Sequence, residues 1–260
     1  MAELVLPHAV LAALWLPVLS DSRGDGVAGA ALSAVTGGQP HLVQYPDGST
    51  RELRRVAPEL VGRTLTDVGA VLPAPGHVTG VPGVALVDAV DAGQCLLVAT
   101  PEGSWAAVPV EEQFGSELEP GTLVRWALHP FPFAERPVST LLGQAGSLAE
   151  ARRELTTALV QAADALAELD LASWRPDAAR EAAAVLHEDV SSDVLPPGLS
   201  APRVDILTRA ARLLALVQLA LVDDGGAVVA QQGAERRRLL GDLEHTARRA
   251  LAAASVSTRR

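Results

Sequence analysis

Ser147-Leu148-Ala149-Glu150-Ala151-Arg152-Arg153-Glu154-Leu155 carries two signals at once. Ser147 and Glu150 have the spacing of a capping box, in which a hydroxyl and a carboxylate three residues apart satisfy each other's free amides at a helix start. Leu148, Ala151 and Leu155 then open an apolar stripe that continues through Ala158, Ala162, Leu166 and Leu169 at three- and four-residue steps. That period predicts a helix of about 24 residues.

Toward the C-terminus the same pattern repeats. Pro176 suits the first turn of a second helix, 176–188, with Ala179, Ala182 and Leu186 inward. Leu195-Pro196-Pro197-Gly198-Leu199 reads as a rigid connector to a third helix, 202–222, whose end from Leu213 is apolar nearly all round. Asp223-Asp224-Gly225-Gly226 reverses the chain into a fourth helix, 228–254, with Leu240, Leu243 and Leu251 inward. Short connections between long amphipathic helices predict an antiparallel four-helix bundle over 147–257, with Ser255–Arg260 as a frayed tail. With Asp170-Leu171-Ala172-Ser173-Trp174-Arg175-Pro176, Leu195–Leu199 and Asp223–Gly226, this half resembles a family of uncharacterised proteins from high-GC actinobacteria. The resemblance covers roughly 148–255, more loosely the front half, and implies a bacterial cytoplasmic protein without implying an activity.

Toward the N-terminus the pattern changes. His129-Pro130-Phe131-Pro132-Phe133-Ala134-Glu135-Arg136-Pro137 holds three prolines in nine residues, which forbids a helix and predicts an extended Pro/Gly-rich connector over 129–146. Residues 1–128 read as a mixed α/β domain: Gln94–Thr100, Trp105–Val110 and Thr122–Leu128, separated by Pro-Glu-Gly and Glu-Pro-Gly turns, predict an antiparallel meander. Helices are expected over 7–19 and 27–35, and strands at His41–Tyr45 and Val68–Leu72. Residues 49–61 admit two readings, a hairpin arm after Pro46-Asp47-Gly48 or a helix opened by the Ser49/Glu52 spacing, and the helix is preferred. The fold class is α+β.

Composition bounds the function. All cationic residues are Arg, with no Lys or Asn and a single Ile, Tyr and Met, a bias of GC-rich coding DNA. Residues 1–140 carry 15 acidic residues against 7 Arg, which argues against nucleic-acid or anionic-membrane partners. A lone Cys95 excludes an internal disulfide and fits a reducing compartment. The apolar stretch Leu4–Leu19 lacks a positive flank, is broken by Pro7 and Pro17, and is short for a membrane span, so no signal peptide is expected.

Chemistry-bearing patterns are sparse. Gly24-Asp25-Gly26-Val27-Ala28-Gly29 matches G-x-G-x-x-G, and Asp47 follows where a ribose-binding acid would stand. The bland alternative is a flexible loop, because polar Ser20–Arg23 stands where the buried strand should be. The six histidines show no metal-ligand spacing, no catalytic constellation emerges, and no cofactor or metal is predicted. Glu111, Glu112, Glu117 and Glu119 read as a solvated acidic loop able to meet a basic partner. Trp105, Trp126, Phe131 and Phe133 form either a protein-binding groove or a seal between the domains. These signals favour a non-enzymatic protein-binding or adaptor module. The alternative is a small-molecule or nucleotide-binding protein or enzyme using the glycine loop 24–29 or the inter-domain cleft.

Overall fold

The computed structural model describes residues 4–21, 25–60, 63–116, 119–132, 137–168, 176–222 and 230–258. It is α+β, with two compact units. The helical unit comprises Met1–Leu6, Ser147–Ser191 and Ser200–Ala254; the α/β unit comprises Pro7–Gly146, Ser192–Leu199 and Ser255–Arg260.

Among the described residues the helical unit holds α6 (Leu148–Glu168), α7 (Pro176–His187), α8 (Ala201–Val222) and α9 (Ala230–Ser255). The capping box at the head of α6 is formed on both arms: the Ser147 amide donates to Glu150 Oε2 at 2.7 Å and the Glu150 amide to Ser147 Oγ at 3.2 Å. Ala151, Leu155 and Ala158 then face inward as the stripe requires. An ion pair between Arg249 near the end of α9 and Glu154 near the start of α6, at 3.4 Å, sets the two ends side by side as an antiparallel pair does. Among the described side chains of α7 Val185 is buried, while Leu186 is 50 % exposed; Arg212 of α8 donates to the Glu188 carbonyl just beyond α7 and so fixes that face of the helix.

The α/β unit is built on a seven-stranded mixed sheet in the order β2-β1-β6-β5-β4-β3-β7. Its strands are β1 (His41–Gln44), β2 (Thr50–Glu52), β3 (Asp67–Val71), β4 (Cys95–Thr100), β5 (Gly103–Ser116), β6 (Glu119–Phe131) and β7 (Ser257–Thr258). The meander is present as β4-β5-β6, with β3 antiparallel to β4, and β1 pairs with β6 in parallel. Alternation along the strands gives two faces. On one face Val71, Cys95, Leu97, Ala106 and Val108 are packed against α4 (Leu86–Ala92) and α5 (Val138–Gly143). On the other lie α1 (His8–Asp21), α2 (Asp25–Thr36) and α3 (Leu53–Leu60), over Leu96, Val98, Ala107 and Trp126.

Several expectations change. Residues 49–61 satisfy both readings in turn: β2 pairs with β1 as a hairpin arm, and α3 starts at the next residue. The Ser49/Glu52 box does not form, because the Ser49 amide and hydroxyl both donate to Asp47 Oδ1 inside the turn, at 2.9 and 2.6 Å. The expected connector 129–146 contains the last three residues of β6 and all of α5, so the front unit does not end at 128. Proline is tolerated here because the partner on the other side has run out: Pro109 pairs with Trp126 beyond the end of β4, and Pro130 with Trp105 beyond the end of β1. The Leu195–Gly198 connector likewise lies in the α/β unit.

Ser255–Arg260 is also not a frayed tail over its described part. Ser257 and Thr258 pair with Val68 and Asp67 as β7. Two residues further along β3 the Ala70 amide, past the end of β7, donates to buried Ser255 Oγ at 2.8 Å. Ser255→Ala leaves that amide buried without its partner, and chemical denaturation is expected to show a loss of about 1–3 kcal/mol; a change below about 0.5 kcal/mol would contradict this role.

Candidate functional site

A cavity of about 710 Å³ lies in the α/β unit between the sheet and the first three helices. The sequence builds it from the alternating apolar residues of one sheet face and the apolar faces of the helices above them. Its floor is the alternating set Val43, Leu96, Val98, Ala107, Trp126 and Leu128. Its roof comes from α1 and α2, with Trp15, Leu16, Ala31 and Val35, and α3 closes one side with Val56 and Ala57. Three of the four tryptophans and the single tyrosine, Tyr45, line it.

The walls are held by specific polar contacts. Trp15 is buried and donates its indole N–H to the Val194 carbonyl at 2.9 Å, which uses the Ser192–Leu199 segment to fix the roof. The Ala9 amide at the head of α1 donates to Gln94 Oε1 at 3.0 Å. Trp126, also buried, donates from Nε1 to His41 Nδ1 at 3.0 Å. The neutral His41 ring therefore carries its proton on Nε2, a buried atom with no hydrogen-bond partner among the described residues. Burial, with the neighbouring His8 ring second, pushes the His41 pKa down to about 4. His8 and His41 meet edge to face with centroids 5.0 Å apart, and His8 Nε2 lies 3.7 Å from Glu111. Sequence spacing gave no hint of this cluster, because its members come from α1, β1, β5 and β6.

The mouth is polar and exposed. Asp47, Arg51, Glu59, Arg63 and Glu102 stand around it. Arg51 and Glu59 are ion-paired with each other. Arg63 donates from Nε to the Glu59 carbonyl at 3.0 Å. Hydrogen bonds from the Ser49 hydroxyl and then its amide hold the Asp47 carboxyl below its ordinary range, and the Thr100 hydroxyl does the same for Glu102.

A second cavity of about 610 Å³ adjoins the first. Thr100, Glu102 and Trp105 line both. Its other walls are Pro101, Pro130, Phe131 and Pro132, with Thr66 and Ser104.

The residues singled out from sequence fall in different places. Trp126 and half-buried Trp105 line the large cavity; Trp105 and Phe131 line the second, and Phe131 also packs on the core beneath α4 and α5. Phe133, Glu117 and Gly24 lie outside the described residues. Glu111 and Glu112 are not in a loop but within β5, and Glu112 is ion-paired with Arg125. Gly26 and Gly29 lie inside α2, and the element before it is the helix α1, so the strand that a dinucleotide fingerprint needs is not there. The Asp47 carboxylate is engaged by Ser49. Cys95 is fully buried, and burial pushes its thiol up to about 12, far from the thiolate a nucleophile uses. Among the described residues no group of three His, Cys, Asp or Glu is placed to hold a metal ion, and no helix is long and apolar enough to cross a membrane.

Comparison with known proteins adds family but not activity. No curated protein and no solved structure matches the chain at a significant level. Residues 9–141 match the model of the Rv1486c-like protein N-terminal domain and residues 149–252, which include the Ser192–Leu199 segment of the α/β unit, match that of its C-terminal domain, and the chain belongs to the Rv1486c-like family.

Proposed function

We propose that the protein binds an apolar small molecule in the cavity between the sheet and α1–α3. The observation that carries this reading is the cavity itself. Its size falls within the roughly 300–1,000 Å³ of ligand sites, and such sites combine apolar walls with a few placed polar groups. Here Trp15, Trp126 and aliphatic side chains make the walls, and charges gather at the mouth. A monomer core of this composition would close over such a space if packing alone governed it.

The test is a fluorescence titration with N-phenyl-1-naphthylamine, a neutral dye that brightens in apolar surroundings. Saturable binding is expected, with quenching of tryptophan emission. Val56 is half-buried on α3 and faces the cavity. Val56→Trp fills that space and is expected to weaken the dye at least tenfold while leaving the circular dichroism unchanged. Unsaturable binding, or equal affinity in the variant, would overturn the reading.

A second reading, the protein-binding or adaptor module, draws on the far end of the β5–β6 hairpin. Phe114 is 51 % exposed there, lying over Gly121, with Glu111 and Glu119 exposed on the same hairpin. A basic partner fits that surface. Its test is recovery of a reproducible partner from the native host by the wild-type bait and its loss with Glu111→Arg. We place the protein in a reducing cytoplasm, where the single buried thiol needs no partner, and in a high-GC actinobacterial host, in keeping with its all-arginine cations.

A further inference from the structure

The β5–β6 hairpin runs on past the strands that flank it. β4 pairs with β5 no further than Ala107 and β1 pairs with β6 from Val124, yet β5 and β6 stay paired out to Ser116 and Glu119. This arm has two edges, and hydrogen bonding fixes which groups face outward. The Val124 amide donates to the Pro40 carbonyl at 2.9 Å, away from β5. Directly opposite residues of an antiparallel pair either bond each other or both turn away, so Glu111, opposite Val124, turns its amide and carbonyl away from β6. The same alternation turns Gln113 outward, opposite Thr122. Pro109 and Pro120 also stand at outward positions, where a missing N–H costs the hairpin nothing.

The two edges differ. On the β6 edge Pro120 removes the donor nearest the tip. On the β5 edge Glu111 and Gln113 keep theirs; both residues are exposed, and no strand among the described residues lies beside them. Such an edge is a template for one more strand, and strand addition is a recurring mode of peptide recognition.

The side chains say what that strand carries. Alternation puts Glu111 on one face of the arm and Phe114 on the other. Glu111 is exposed, with His8 Nε2 3.7 Å from its carboxylate; Glu112 is ion-paired with Arg125; Phe114 is 51 % exposed over Gly121. A basic side chain opposite Glu111 and an apolar one opposite Phe114 complement them, and being three residues apart they point to opposite faces of the added strand. A second copy of this chain fits poorly, since it brings a net charge of −10 and another Glu111. We infer that the β5 edge at Glu111–Gln113 takes an extended segment of a partner protein in which Arg or Lys alternates with apolar residues. This rests on the protein-binding reading above and not on the cavity.

The experiment titrates the full chain with the end-blocked peptide Arg-Val-Arg-Val-Arg-Val while the backbone amide resonances of Glu111 and Gln113 are followed by NMR. One control replaces each Arg by Glu; the other is fully N-methylated, which keeps charge and side chains but removes every amide donor. The Arg peptide is expected to shift both resonances saturably and to bind at least about tenfold tighter than either control, the scale of two lost hydrogen bonds or of a reversed charge. Gln113→Pro removes an outward donor as Pro109 and Pro120 do, and is expected to weaken the Arg peptide at least about tenfold with circular dichroism unchanged. Glu111→Arg, which introduces no proline, is expected to turn the preference toward the Glu peptide. Equal binding of the N-methylated copy, a wild-type preference for the Glu peptide, or an unchanged result in either variant overturns the inference. Self-association of the wild type that Gln113→Pro abolishes assigns the edge to a second copy and overturns it as well. A host partner lost with Glu111→Arg but kept with Gln113→Pro overturns the edge inference while the protein-binding reading stands.

Discussion

Leu142→Ala is expected to lower the stability of the α/β unit by about 3–5 kcal/mol, read from the urea transition of tryptophan fluorescence, to which Trp15, Trp105 and Trp126 of that unit contribute. Leu142 is 1 % exposed on α5. It sits over Gly69 of β3 so closely that a Cβ built on that glycine would come within 2.7 Å of Leu142 Cδ2. The glycine is what lets the helix approach the sheet, and the leucine fills the gap it leaves. Truncation removes three carbons from a space that α5, Leu97 and Val71 cannot close without moving the sheet. The substitution also separates two descriptions of residues 129–146. Were they a solvated connector, the change would fall within about 0.5 kcal/mol. A result that small would remove α5 from the core.

Acid is the second large effect. The His41 pKa falls from 6.5 to about 4 on folding. Between those values the unfolded chain binds a proton that the folded protein does not, so stability rises with pH across the window and is lost as pH drops from about 6.5 to about 4. The full loss approaches roughly 3 kcal/mol, since each tenfold drop in proton affinity is worth about 1.4 kcal/mol. The cause is geometric: Nδ1 is taken by the Trp126 N–H, Nε2 is buried without a partner among the described residues, and the His8 ring stands 5.0 Å away, so a second proton would be neither solvated nor bonded. His41→Asn keeps an acceptor where Nδ1 was and has nothing to titrate. Urea midpoints measured at steps between pH 7 and pH 4 are expected to fall more steeply in the wild type than in the variant; parallel slopes would show that His41 contributes nothing. Because Trp126 also floors the large cavity, dye affinity is expected to weaken over the same interval.

The helical unit was legible because each signal in it is local. A capping box, a proline at a first turn and a three- and four-residue period all act within one helix, and α6, α7, α8 and α9 fall within a few residues of the expected spans. The meander was legible for the same reason, since hairpin partners are neighbours in sequence. What escaped notice depends on distant partners. Whether Pro109 and Pro130 end a strand or merely mark where its second neighbour stops is decided by β4 and β1, not by residues beside them. Ser49 had two acceptors within reach and took Asp47 in the turn over the box with Glu52. The helix α4, seven residues long, is too short to show a period and is held by Ala85 and Ala89 against the sheet. The candidate site was legible only in part: Trp105 and Trp126 stood out as a groove or a seal, while nothing tied Trp15 or the helices α1–α3 to them. Trp15, Trp105 and Trp126 are far apart in the chain, and each alone reads as core; only the register of β4, β5 and β6 and the placement of α1 turn them into walls of one cavity.

The sheet's outermost strand on the β3 side has a consequence for the newly made chain. Six strands are complete on the ribosome before α8 and α9 have been translated, yet β7 comes after α9 in chain order. Until then β3 waits with one row of its amides and carbonyls unpaired, flanked by Val68, Ala70 and Val71, side chains that end up buried. Such an edge invites pairing with another nascent chain. Chains truncated or stalled before residue 255 are therefore the population in which aggregation should begin, and residues 255–258, made as α9 ends, act as the stopper that ends the risk.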